Sequence, residues 1–146
     1  MTPSCDADAG SSGRFAVPSA NGSRPLRVLL VDDHLLVRCK TRRQLEEIVD
    51  LQVVGEATDG FEAVALAKTL SPDLVFMDIC MPGLDGLEAT RRITAEAPHV
   101  RVIMLSSHEG ASYRKHALDA GAAGYLTKGQ TTQGLAAAMQ EVFRRS

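Results

Sequence analysis

The sequence predicts an α/β domain: a doubly wound, five-stranded parallel sheet with helices on both faces. Three observations predict it. Short apolar runs alternate five times with segments of helical periodicity. The runs are continuous rather than alternating, as strands covered on both faces require. Polar residues collect where the runs end. Strands alternating with helices wind into a parallel sheet by right-handed crossovers.

The first run, Leu26–Val31, stops at Asp32 and Asp33. A weaker strand covers 53–57. The third covers 73–77 and ends at Asp78; the fourth, 100–105, ends at Ser106; the fifth, 123–126, ends just before Lys128. Helices fill the gaps. Segment 36–49 aligns Val37, Leu45 and Ile48, and Gly60–Leu70 aligns Phe61, Val64, Ala65 and Ala67. Segment 84–97 aligns Leu84, Leu87, Ile93 and Ala97, and 113–120 is short. Segment 131–145 aligns Leu135, Ala138, Met139 and Val142 at the helical spacing. Thr131 or Thr132 suits its N-cap, and Arg144 and Arg145 suit its negative end. Pro72 and Pro98 mark the ends of the helices before them.

Residues 1–24 have another texture, rich in Ser, Gly, Ala, Pro and Asp. Such a segment buries too little apolar surface to offset its ordering entropy, and a disordered leader is expected. Residues 25–146 form the folded domain, and 45% apolar content is enough for a full core.

Bulk properties exclude several classes. The net charge of −2, with 16 basic and 18 acidic residues, offers no basic patch for nucleic acid or membrane. Cys5, Cys39 and Cys80 are widely and irregularly spaced, so neither a zinc site nor a disulfide framework is expected. No stretch approaches the roughly 20 apolar residues of a membrane span. Residues 1–25 lack the apolar core of a secretory signal, and a cytoplasmic setting is expected.

In doubly wound sheets, ligands bind outside the carboxyl ends of the strands. Asp32, Asp33, Asp78, Ser106 and Lys128 all fall there. Alone, Asp32-Asp33 suits a turn or helix cap, Lys128 a solvated surface and Ser106 a loop. Together they read differently. Three carboxylates at one edge need a positive charge among them, and Mg²⁺ prefers oxygen ligands. A strand-end Asp can act as a nucleophile toward phosphorus. Lys128 offers a fixed positive charge and Ser106 a hydroxyl donor for phosphoryl oxygens. His34 and His108 lie near the same edge, but carboxylate and water suit magnesium better than imidazole does.

The blocks Val31-Asp-Asp-His34, Phe76-Met-Asp-Ile-Cys-Met-Pro-Gly-Leu-Asp-Gly86, Val102-Ile-Met-Leu-Ser106 and Gly124-Tyr-Leu-Thr-Lys128 resemble the receiver domains of bacterial response regulators. The resemblance runs from about Leu26 to the chain end. The Asp-Asp-His start and the Leu105-Ser-Ser-His108 segment resemble the subfamily that usually carries a C-terminal LuxR-type helix-turn-helix.

The resemblance implies a flavodoxin-like (βα)₅ fold with strand order 2-1-3-4-5. It implies that Asp78 accepts a phosphoryl group from a histidine kinase or phosphotransfer protein. Mg²⁺ would be held by Asp33, Asp78 and the Cys80 backbone carbonyl, with Asp32 acting through water. Lys128 would pair with Asp78 and then with the phosphoryl group, Ser106 would swing toward it, and Tyr125 would change rotamer. That coupled change would control a downstream protein partner or a homodimer. Pro82 and Gly86 would shape the pocket. Cys80 and His108 would govern access of hydrolytic water.

The domain would catalyse only its own phosphorylation and dephosphorylation. The chain reaches Ser146 where the last helix should end, without a helix-turn-helix, so either it is a stand-alone receiver that acts by protein contact or it controls an output domain that is missing here; this chain itself is expected to make no direct nucleic-acid contact. Departures from the family pattern are the polar Thr41 and Gln44 on the first helix, and Gly129 after Lys128. The rival reading is a pseudo-receiver, an interaction module without phosphorylation. A haloacid-dehalogenase-type phosphohydrolase would need Asp-x-Asp after the first strand, and a nucleotide-binding enzyme a phosphate-cradling glycine motif. Neither is present.

Overall fold

The computed structural model describes residues 15–16, 24–107 and 111–144. Twelve elements follow in order: β1 (Phe15–Ala16), β2 (Leu26–Val31), α1 (Leu35–Glu46), β3 (Ile48–Val49), β4 (Leu51–Ala57), α2 (Gly60–Leu70), β5 (Leu74–Asp78), α3 (Gly86–Glu96), β6 (Arg101–Ser106), α4 (Ala111–Asp119), β7 (Gly124–Thr127) and α5 (Thr132–Arg144). The main sheet runs β4-β2-β5-β6-β7, with every pair parallel. Counting only its five strands along the chain, this is the order 2-1-3-4-5.

The pleat explains why the runs are apolar throughout. Within β5, Leu74 and Phe76 face one side, and Val75 and Met77 the other. The first side packs against Leu45 of α1 and Leu135, Met139 and Val142 of α5. The second packs against Ala63 and Ala67 of α2, Ala89 and Ile93 of α3, and Ala117 of α4.

Element edges differ from the sequence reading by a few residues. The largest difference is the first helix, which stops at Glu46 rather than at residue 49. Ile48 and Val49 instead pair in parallel with Phe15 and Ala16 as a separate two-stranded sheet. β-branched side chains favour that extended backbone. Asp50 then turns the chain with φ 62° into β4. The expectation of disorder for residues 1–24 lies mostly outside the described residues. Within that stretch Phe15–Ala16 pair as stated, and Arg24 grips Asp73 through two hydrogen bonds of 2.9 and 3.1 Å. Cys39 is disulfide-bonded, a pairing that the cysteine spacing does not lead one to expect, and Cys80 is free. Among the described residues no helix is long and apolar enough to cross a membrane.

Candidate functional site

The carboxyl ends of β2, β5, β6 and β7 bring the predicted residues to one edge. Asp32 directly follows β2, Asp78 ends β5, Ser106 ends β6 and Lys128 follows β7. The sheet register makes this placement firm: Asp78 is level with Leu105, and Ser106 with Thr127. Lys128 is fixed by its own backbone, whose N–H donates to the Ser106 carbonyl at 2.7 Å.

The side chains converge. Lys128 Nζ lies 3.1 Å from Asp32 Oδ2 and 3.2 Å from Asp78 Oδ1. Asp32 and Asp78 are almost completely buried, and Asp33 is partly exposed. One cation therefore serves two buried carboxylates, with the third beside them. The shortage of positive charge shows in the electrostatics. Burial pushes the Asp78 carboxyl up to about 6, and the neighbouring Asp32 charge pushes the same way against the pull of Lys128. Burial acts to lower the Lys128 ammonium, but Asp32 and Asp78 outweigh it and hold the group above its ordinary range.

Two oxygens remain unsatisfied. Asp33 Oδ1 and Asp78 Oδ2 are buried and accept no hydrogen bond. An unpaired buried carboxylate oxygen is costly, and such groups in native folds call for an ion or another partner. Asp32, Asp33, His34 and Asp78 each bring a ligand atom, all within 4.8 Å of one another. Oxygen donors at that spacing fit a hard divalent cation.

The surrounding loops hold this arrangement. Cys80 donates its backbone N–H to Asp78 Oδ1 at 3.4 Å, a long contact. Gly83 has φ +75°, a conformation that glycine alone adopts without strain. Gly86 has a different reason to be glycine: a Cβ there would lie 2.1 Å from the Asp78 carbonyl oxygen. Asp85 caps α3 by accepting from Glu88 N–H at 2.9 Å, so the helix begins at Gly86 and not at Leu84. Pro82 is exposed on the same loop.

Tyr125 is buried against the α3–α4 side of the sheet, with the Arg114 guanidinium 5.7 Å from its ring centre. Ser106 is buried at the site edge. His108 lies outside the described residues. Thr131, not Thr132, caps α5 by accepting from Gly134 N–H at 3.0 Å.

Other residues support the site without standing out in the sequence. Arg38 donates to the Asp32 carbonyl at 2.8 Å and binds Glu56 at 2.7 Å, which anchors the end of β2. One of the polar departures on α1 also finds a use. Gln44 donates to the Gln130 carbonyl at 2.7 Å, and Thr132 donates its hydroxyl to Glu47 at 2.8 Å. Helix α1 is thus tied to the loop after Lys128. A cleft of about 270 Å³ lies between them, lined by Thr41, Gln44, Lys128 and Gln130 but by none of the three aspartates. Only long-range contacts reveal these roles, and the helical periodicity of α1 carries no trace of them.

Comparison with known proteins agrees with this geometry. Residues 28–140 match the response regulator receiver domain family. Over 118 residues the chain is 47% identical to the response regulator UvrY of Escherichia coli K12, a match covering 81% of this chain and 54% of that protein. It is 43% identical to the response regulator GacA of Pseudomonas aeruginosa, covering 81% of this chain and 55% of that one. The chain thus spans about half the length of the curated relatives it matches. Among solved structures, the signal receiver domain of the response regulator NarL from Mycobacterium tuberculosis superposes with a TM-score of 0.79 at 33% identity, over 84% of this chain and 99% of that one. A chain of the CheX–CheY–BeF₃–Mg²⁺ complex from Borrelia burgdorferi superposes with a TM-score of 0.78 at 27% identity, over 86% and 94%.

Proposed function

Because this chain belongs to the response regulator receiver domain family, we propose that it is a phosphorylation-dependent switch with Asp78 as phosphoacceptor. The single observation that carries the residue assignment is the buried pair Asp32 and Asp78 sharing Lys128, with Asp78 Oδ2 left without a partner. Receiver domains bind Mg²⁺ at an acidic pocket, and Asp32, Asp33 and Asp78 form such a cluster here.

The chemistry follows from these groups. With its carboxyl at about 6, Asp78 is ionised at neutral pH and competent as a nucleophile. A carboxylate oxygen attacks phosphorus, the bond from phosphorus to the donor breaks, and the leaving group takes a proton. Asp33, Asp78 and the Cys80 carbonyl would hold Mg²⁺, with Asp32 acting through water, and the ion when bound would supply charge neutralisation at the phosphoryl oxygens. Lys128 already touches Asp78 and shifts its contact to the new phosphoryl group. Ser106 donates its hydroxyl to that group, and Tyr125 follows by changing rotamer. Pro82 and Gly86 keep the loop in place, while Cys80 and His108 limit the entry of hydrolytic water. The aspartyl phosphate carries close to two negative charges where the carboxylate carried one, and it places three strong acceptor oxygens at the site, enough to bias two conformations of the α4 and α5 surface.

On this reading the partners are a cytoplasmic histidine kinase or phosphotransfer protein upstream, and a protein target or a second copy downstream. Residues 25–146 are the receiver unit and residues 1–24 a leader. The activity is confined to the chain's own Asp78.

Intact-protein mass after incubation with acetyl phosphate and Mg²⁺ tests the reading. One phosphoryl group is expected on the wild type, lost in alkali and with chelator, and absent from Asp78→Asn. No phosphoryl group from acetyl phosphate or from any of a panel of histidine kinases, on folded Mg²⁺-binding protein, would instead make it a pseudo-receiver.

A further inference from the structure

The acidic cluster contains one nitrogen that the magnesium reading does not use. His34 follows Asp33, and its Nδ1 lies 3.0 Å from Asp33 Oδ1 and 3.4 Å from Asp32 Oδ1. Its backbone N–H donates to Asp32 Oδ1 at 2.8 Å, which fixes the residue over the pocket. In an octahedral site with bonds of about 2.1 Å, adjacent ligand atoms stand about 3 Å apart. Nδ1 and Asp33 Oδ1 are at that separation.

A second, independent observation points to a ligand. Asp33 Oδ1 is buried and accepts no hydrogen bond, although His34 Nδ1 is within reach. Asp78 Oδ2, on a side chain only 4% exposed, also lacks a partner. The Asp33–His34 pair thus lacks hydrogen-bond geometry, and the two atoms hold each other as an ion pair only when the ring is protonated. Nor is His34 held by helix capping. It occupies the N-cap position of α1 but makes no side-chain cap hydrogen bond. Its side chain is 65% exposed.

We propose that His34 Nδ1 is a direct metal ligand, and that it makes this pocket a site for borderline divalent transition ions as well as for magnesium. The proposal rests on the magnesium-pocket reading above. Carboxylate and carbonyl oxygens favour Mg²⁺ and Mn²⁺, and an imidazole nitrogen adds affinity that rises toward Ni²⁺ and Zn²⁺. The second ion class would compete for the same carboxylates, so its binding and that of Mg²⁺ exclude each other.

The experiment uses the full chain with metal alone. Mn²⁺ is bound and its ¹⁴N couplings are read by pulsed electron paramagnetic resonance. Ni²⁺ and Mg²⁺ affinities are measured by calorimetry. The wild type is compared with His34→Ala and with His34→Gln, which keeps a hydrogen-bond donor but loses the imidazole. Because the ring is exposed, both variants should fold.

The expected result is a directly bonded ¹⁴N signal in the wild type that both variants lose. Ni²⁺ affinity should fall about tenfold or more in both, with Mg²⁺ affinity within about twofold of the wild type. Mn²⁺ bound without a nitrogen coupling, and an unchanged ratio of Ni²⁺ to Mg²⁺ affinity, would overturn the proposal and leave the carboxylate site standing. Failure of the wild type to bind any of the three ions would overturn the carboxylate reading with it.

Discussion

Replacing Asp78 with asparagine should make the metal-free protein more stable, although it abolishes the phosphoacceptor. The carboxyl of Asp78 stands at about 6 in the fold, against an ordinary value of 3.8. A group raised in this way binds its proton more tightly when folded. Its effect on stability therefore runs opposite to that of a salt-bridged aspartate: neutral below pH 4, and increasingly unfavourable as pH rises from 4 through 6. At about 1.4 kcal/mol per pH unit, the ionised side chain costs about 3 kcal/mol above that window. The cause is burial beside Asp32, only partly offset by Lys128.

Asparagine removes the charge and leaves Lys128 paired with Asp32 at 3.1 Å. Its amide must find partners among groups arranged for a carboxylate, which reduces the gain to roughly 1–3 kcal/mol. For a chain of this length that is a rise in Tm of roughly 3–10 °C. Urea and thermal unfolding in chelator at pH 7.5 and pH 4.5 provide the assay. The variant should be the more stable at pH 7.5, with the gap closing at pH 4.5. Adding Mg²⁺ should stabilise the wild type and not the variant. A variant less stable than wild type at pH 7.5, or a gap independent of pH, would refute the reasoning.

Three further outcomes follow from the same contacts. Lys128→Ala leaves Asp32 and Asp78 buried without a cation, so urea unfolding should show a loss of about 3–5 kcal/mol in chelator, partly recovered with Mg²⁺. Gly86→Ala drives a Cβ into the Asp78 carbonyl, and neither partner is a flexible side chain. It should cost about 1–3 kcal/mol and weaken Mg²⁺ binding measured by calorimetry. Gln44→Ala removes the 2.7 Å tie to Gln130 and should cost about 1 kcal/mol in urea unfolding, while the rate of phosphorylation by acetyl phosphate falls because the loop carrying Lys128 loosens.

The sheet was legible because its signal is dense. Strands buried on both faces must be apolar at every position, and β5 is buried from Leu74 to Asp78. The site was legible for the same reason: a strand-end rule converts five separate residues into one edge. What stayed hidden depends on contacts distant in sequence. Ile48 and Val49 read as helix because their apolar character continues the α1 stripe, and only pairing with Phe15 and Ala16 makes them a strand. Thr41 and Gln44 read as defects in that stripe, yet Gln44 meets Gln130, 86 residues away. The reason for Gly86 is a close approach between two backbones that no local pattern encodes. His34 was set aside because magnesium prefers oxygen, whereas the fold puts its nitrogen among the carboxylates.

The most direct test of the central claim is chemical mapping of the phosphorylated residue. Protein treated with acetyl phosphate and Mg²⁺ is reduced with borohydride, which converts an aspartyl phosphate to homoserine, and its peptides are sequenced by mass spectrometry. Homoserine at position 78 alone is the predicted result. Homoserine at Asp32 or Asp33, or at none of the three in protein that carries the added phosphoryl mass, would contradict the account.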